Sequence, residues 1–192
     1  AFGDSFRALN RLTFGATVAE RLRVDQIGIA AWIEEQLAPD LIDDLPTTLR
    51  LKKFSTLTMK PNELLDWSDK IFGAQDRVTV PEELAQATLT RQVFSQRQLY
   101  EAMVEFWNDH FNISIEKGEC RYLKTFDDRE VIRKNALGNF RDLLWASSHS
   151  SAMLIYLDNQ VNRKGAPNEN YAREIMELHS LGVKSGYSQK DV

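Results

Sequence analysis

Residues 168–182 read NENYAREIMELHSLG, and the fold prediction starts from this segment. Pro167 and Asn168 predict the start of a helix, because an asparagine side chain accepts a hydrogen bond from a free amide of the first turn. Gly182 predicts the end of this helix, since glycine readily takes the left-handed conformation that closes many helices. The segment therefore predicts one helix that is dense in carboxylate, amide and imidazole groups.

The polar groups of this helix divide between two faces. At 100° per residue, Asn170, Glu174 and Glu177 share one face. Arg173 lies four residues before Glu177, a spacing that favours an ion pair. His179 falls nearly opposite Glu174 and Glu177, so a straight helix cannot bring it to a metal ion shared with them. A site at Asn170, Glu174 and Glu177 therefore needs a group from another segment.

The rest of the chain also predicts helices. Five prolines avoid the strongest helical patterns and few stretches alternate, which indicates an all-α protein. Thr17-x-x-Glu20 is a capping-box pattern, and Pro61 is a favourable first helical residue. The further predicted segments are a first helix that ends near Gly15, helices at 29–37, 61–72, 81–94, 95–112, 127–135, 139–146 and 151–157, a weaker helix at 49–59, and a loop at 73–80.

Length and composition favour one globular domain. The 192 residues are 43% apolar, show no repeat or long linker, and can bury a single core. We therefore expect an irregular multi-helix domain over residues 1–192, with about eight to ten helices. The net charge of −4 comes without a basic block, which argues against nucleic-acid binding. No apolar run is long enough to cross a membrane, and no signal peptide is present in this sequence.

Three groups of residues are candidate functional sites. His110 lies on the apolar face of the 95–112 helix, where it is either a metal ligand or general base, or a core histidine. Glu174 and Glu177 either share a cation or proton, or form a salt-bridge network with Arg173 and with Arg141 or Arg133. The 158–170 loop is rich in oxygen and amide groups that either hold a ligand or bond the loop itself. The candidate binding residues are Asn159, Asn168, Asn170, Arg173 and His179.

Several segments together resemble a bacterial family called domain of unknown function 1800. The matching segments are RLTFGAT at 11–17, FWNDHF at 106–111, ALGNFR at 136–141, AML at 152–154, YLDN at 156–159, NENYARE at 168–174 and ELHSLGV at 177–183. The resemblance implies no established activity. It implies an exported protein of the periplasm or cell surface, and a chain that continues beyond residue 192, so that these residues are its N-terminal portion.

Two functional hypotheses follow. The favoured one is a structural or interaction module of an exported or envelope-associated protein, stabilised by a buried network of His110, Arg173, Glu174 and Glu177. Its partner is the C-terminal part of its own chain or another protein. The alternative is a metal-assisted hydrolase between the 95–112 and 169–181 helices, with His110, Glu174 and Glu177 as catalytic residues and a divalent metal as the cofactor.

Overall fold

The chain folds as helices joined mostly by short turns. A computed structural model describes residues 3–71 and 79–192, with the backbone alone for 67–71. Its α-helices are α1 (Asp4–Leu12), α2 (Val18–Ile27), α3 (Ile29–Gln36), α4 (Leu45–Leu51), α5 (Pro61–Ile71), α6 (Val80–Phe94), α7 (Gln98–His110), α8 (Cys120–Asp127), α9 (Phe140–Ser148), α10 (Ser151–Tyr156) and α11 (Asn170–Glu174). The described residues contain no β-strand, so the all-α prediction is confirmed, with eleven α-helices rather than eight to ten.

Shorter helical segments complete the fold. Three 3₁₀ segments lie at Pro39–Leu41, Ser55–Thr58 and Asn159–Val161. Two π-helical segments, Asp128–Arg133 and Ile175–Ser180, directly continue α8 and α11. These π turns were not predicted, and they change which side chains share a face.

Most helix ends lie where the sequence predicts them. The Thr17 hydroxyl accepts a hydrogen bond from the Glu20 amide at 3.1 Å, and Pro61 is the first residue of α5. Gly28 has φ of +86°, a conformation that suits glycine and joins α2 to α3 without a linker. The predicted 49–59 helix is wrong, because α4 ends at Leu51 and the buried Phe54 separates it from the 3₁₀ segment.

Two groups of buried apolar side chains form the core. The smaller group joins α1, α2 and α3 through Leu9, Val24 and Trp32. The larger group joins α7, α8, α9 and α10, and its members include Val104, Phe111, Leu123, Ile132, Leu143, Ala152 and Met153. The predictions for the side chains of Trp67, Ile71 and Phe72, and for most of the 73–80 loop, lie outside the described residues. No helix of the described part is long and apolar enough to cross a bilayer.

Candidate functional site

The predicted 169–181 helix is present, but half of it is not α-helical. It begins at Asn170, and the Asn168 side chain accepts a hydrogen bond from the Asn170 amide at 3.0 Å. It ends at Ser180, and Gly182, two residues further on, has φ of +90°. The amides of Leu181 and Gly182 both donate to the Met176 carbonyl at 2.9 Å. The helix therefore starts and stops as predicted, while its π-helical second half alters the predicted positions of the faces.

His110 contacts His179 and not the glutamates. His110 ends α7, and its Nε2 lies 3.0 Å from the His179 carbonyl oxygen. A carbonyl only accepts hydrogen bonds, so Nε2 carries the proton. This bond satisfies one of the carbonyl groups that remain free at the end of a helix. The imidazole therefore joins the C-terminal ends of α7 and of the Ile175–Ser180 segment.

Aromatic rings enclose the His110 imidazole. Its ring centroid lies 4.8 Å from that of Phe111, 5.5 Å from Trp107 and 6.2 Å from Phe140. The ring of His179 lies 6.1 Å away and is itself buried. Burial lowers the pKa of His179, and the proximity of His110 lowers it further, so His179 is neutral at pH 7. His110 thus occupies an aromatic, half-buried setting of the kind that a core histidine occupies.

Arg173 pairs with carboxylates on its own helix. Its guanidinium lies 3.0 Å from the Glu169 carboxylate and 3.8 Å from that of Glu177. The predicted ion pair with Glu177 is therefore present, at the longer of the two distances. Gln189 joins the pair, because it accepts from Arg173 at 3.1 Å and donates to Glu169 at 2.7 Å. Among the described residues, no hydrogen bond or ion pair joins this set to His110 or to Glu174. The predicted single network is therefore two separate groups of contacts.

The asparagines of the 158–170 loop bond the loop itself. Asn159 accepts from the Asn162 amide group at 3.1 Å, and Asn162 accepts from the Asn168 backbone at 3.1 Å. Asn170 donates to the Leu157 carbonyl at 3.3 Å. Asp158 has φ of +59° and accepts from Lys117 at 2.8 Å, which ties the loop to the segment before α8. These hydrogen bonds hold the loop in shape, and a ligand-binding role for its asparagines stays a prediction.

A buried ion network, which no sequence pattern indicated, lies among other residues of the fold. Arg133 donates two hydrogen bonds to Glu101, at 2.9 and 3.1 Å, and a third to Asp128 at 2.9 Å. Asn108 also donates to Asp128, at 3.0 Å. Lys124 pairs with Asp127 at 2.9 Å, while Ser150 donates to the other oxygen of Asp127 at 2.6 Å. The network joins α7, α8, the Asp128–Arg133 segment and α10.

The network keeps its groups charged despite their burial. Burial alone would raise the pKa of Asp128, but Arg133 and the Asn108 amide lower it below its ordinary value. Burial alone would lower the pKa of Arg133, but Asp128 and Glu101 raise it overall. Burial together with the nearby Arg133 lowers the pKa of Arg91, which makes no hydrogen bond or ion pair within the described part of the chain. Arg133 and Lys124 are each paired with buried carboxylates, as buried ions require.

A groove lies directly above this network, between α6 and α7. Its volume is about 450 Å³, within the range of small-molecule sites. The walls are largely apolar, and the floor includes Glu101, Asn108, Lys124, Asp128 and Arg133. This groove combines an apolar wall with buried charges and is a second candidate site. No sequence signal marked it, because its groups come from helices far apart in the chain.

The described residues contain no group of three or more histidine, cysteine, aspartate or glutamate side chains that could hold a metal ion. Cys120, the one cysteine, is buried, and burial raises the pKa of its thiol. Its thiol donates to the Ala152 carbonyl, which fits a structural role.

The family comparison agrees with the resemblance noted in the sequence. Neither the curated proteins nor the solved structures include one that matches the chain. The model of the family described as "protein of unknown function (DUF1800)" matches residues 7–192, which is nearly the full length. The chain therefore belongs to the DUF1800 family of proteins of unknown function.

Proposed function

We propose that the chain is a structural and protein-interaction module of an exported or envelope-associated protein, with no catalytic role for His110. The observation that carries this proposal is a set of exposed apolar side chains, named here the His110 face, which either lie beside the His110 ring or fall within four residues of His179 in the chain. It consists of Phe106, Phe140, Leu178, Leu181 and Val183, all at least partly exposed to solvent. Export rests on the family resemblance alone.

The His110 face is built from two neighbouring parts. The Phe106 ring stacks 6.4 Å from the His110 ring, and the Phe140 ring lies 6.2 Å from it. Leu178 and Leu181 flank the buried His179, and each is more than half exposed. Apolar side chains grouped in this way on a surface favour a contact with other polypeptide.

The contacts of His110 support a structural role for this residue. Its Nε2 donates a hydrogen bond to the His179 carbonyl, and its ring packs among aromatic side chains. The imidazole thereby fixes the Ile175–Ser180 segment that presents Leu178 to solvent. No observation favours the hydrolase alternative, since Glu174 and Glu177 make no contact with His110 among the described residues.

The proposed partner is an apolar polypeptide segment, and the C-terminal part of a longer chain is the first candidate. Val183 belongs to the His110 face and is followed within the described residues by an irregular segment to Val192. A photo-cross-linking residue at Leu178, placed in the protein as its gene encodes it, tests the proposal. The matched control is the same residue at Val18, an exposed apolar position on α2.

We expect cross-links from position 178 to one defined polypeptide segment, and none from position 18. Peptide mapping then distinguishes a segment of the same chain from a separate protein. Equal reaction at both positions, or reaction with solvent alone at position 178, would contradict the proposal. The isolated chain with Leu178→Ser is expected to keep its stability within about 0.5 kcal/mol, because this side chain is already exposed.

A further inference from the structure

We propose that the groove between α6 and α7 binds a small organic cation with an apolar body, such as an alkyl amine. The groove lies at the junction of α6, α7 and α8, and it is distinct from the His110 face. The inference rests on three observations: the apolar walls, the acidic rim, and a floor whose charges are already paired.

The walls offer contacts for an apolar body. Leu84 and Leu89 line the groove from α6, while Val104, Ile113 and Ile115 line it from α7 and the segment that follows. Leu89 is exposed to solvent. A volume of about 450 Å³ suits a ligand of small-molecule size rather than a folded domain.

The rim carries two exposed carboxylates that make no ion pair within the described part of the chain. Glu105 and Asp109 lie four residues apart on α7 and both line the groove. Glu105 accepts a hydrogen bond from the uncharged Gln92 at 2.8 Å and has no cationic partner among the described residues. Asp109 has no ion pair or hydrogen bond within the described part of the chain. Two unpaired negative charges one helical turn apart attract a cation to this rim.

The charges beneath the groove cancel, so the charge of the rim determines whether a cationic or an anionic ligand is favoured. Two acidic and two basic side chains line the floor: Glu101, Asp128, Lys124 and Arg133. Only the two carboxylates of the rim remain. In addition, the Asn108 Oδ1 atom is buried without a hydrogen-bond partner, although Asn108 lines the groove. An unsatisfied acceptor favours a ligand that carries N–H groups.

The test uses three probes with the same apolar body and different head charges. Octylamine is cationic at pH 7, octanol is neutral and octanoate is anionic. Titration of ¹⁵N-labelled protein, followed by amide NMR shifts, gives both the affinity and the place of binding. We expect the shifts to centre on α6 and α7. We expect octylamine to bind about tenfold tighter than octanoate, with octanol between them.

Substitutions at the rim test the charge. The double variant Glu105→Gln/Asp109→Asn keeps the hydrogen-bonding shape and is expected to weaken octylamine binding about threefold to tenfold. Octanol binding is expected to stay unchanged. The control, Asp142→Asn, removes one exposed carboxylate from α9 and is expected to leave both affinities unchanged.

A substitution in the wall tests the apolar contact. Leu89→Ser is expected to weaken octylamine and octanol equally, while Val93→Ser, one turn further along α6 and outside the groove, is expected to weaken neither. Octylamine binding no tighter than octanoate binding would overturn the inference. So would an unchanged octylamine affinity in the rim variant, or shifts that centre outside α6 and α7.

Discussion

Arg133 holds the buried network together, and Arg133→Met is the sharpest test of its energetic role. The side chain donates three hydrogen bonds to Glu101 and Asp128, whose exposed fractions are 7% and 5%. Methionine fills a similar volume but provides no donor and no charge. The two carboxylates would then remain buried without their partner, and leaving buried charge unpaired costs more than the pair itself contributes.

The magnitude follows from this geometry. Breaking a buried ion pair by removal of one partner typically costs about 3–5 kcal/mol. Arg133 serves two carboxylates, although Asp128 retains its hydrogen bond from Asn108. We therefore expect a loss of about 4 kcal/mol in the free energy of unfolding at pH 7. For a chain of this size, the corresponding fall in Tm is about 8–16 °C.

The assay is urea unfolding followed by circular dichroism, with calorimetry for the Tm. Arg141→Met is the control, because Arg141 is exposed and its side chain makes no ion pair within the described part of the chain. The control is expected to change the unfolding free energy by less than about 0.5 kcal/mol. If Arg133→Met lost no more stability than Arg141→Met, the reasoning about the buried network would be refuted.

Three further predictions concern pH, His110 and Gly182. The lowered pKa of Asp128 contributes stability above pH 4, and this stability is lost as the pH falls through the folded-state pKa. The difference in unfolding free energy between wild type and Arg133→Met is therefore expected to become smaller as the pH is lowered. His110→Leu removes the donor to the His179 carbonyl and is expected to cost about 1–3 kcal/mol in urea unfolding. Gly182→Ala places a side chain at φ of +90° and is expected to cost about 1–2 kcal/mol.

Each of these predictions has its own control. A gap that widens below pH 4 would contradict the assignment of Asp128. His110→Gln retains an N–H donor and is expected to recover part of the stability that His110→Leu loses. Gly3→Ala is the control for Gly182→Ala, because Gly3 has φ of −65° and open space beside it. Equal effects of the two glycine substitutions would show that the backbone conformation at 182 is not the cause.

Local signals in the sequence predicted much of the fold. Thr17, Pro61 and Gly182 mark helix ends because capping and left-handed glycine act within a few residues. The π-helical segments escaped prediction, since an α-helix and a π turn have the same local preferences. The Ile175–Ser180 turn also invalidated the face assignments that assumed 100° per residue. This segment also makes a tertiary contact, between the His179 carbonyl and His110, that no local pattern indicates.

The candidate sites were harder to predict than the fold. His110 and His179 belong to two of the segments that match the family, but the family resemblance does not indicate which of their atoms are in contact. The ion network was missed because Glu101 and Arg133 lie 32 residues apart and charged side chains usually face solvent. Only the packed structure shows that α7 and the Asp128–Arg133 segment face each other. The roles proposed for Glu174, Glu177 and the binding residues stay predictions.

The proposed structural role of His110, which acts through Nε2 and not as a metal ligand, is open to one direct measurement. The chain has only three histidines, so ¹⁵N-histidine NMR resolves each ring. We expect the His110 imidazole to be protonated at Nε2, and we expect one equivalent of Zn²⁺ to leave its ¹⁵N chemical shifts unchanged. The contrary result would be a stoichiometric change in the His110 ¹⁵N chemical shifts on addition of Zn²⁺, abolished by Glu174→Gln or Glu177→Gln. It would contradict the structural role of His110 and favour the metal-assisted hydrolase.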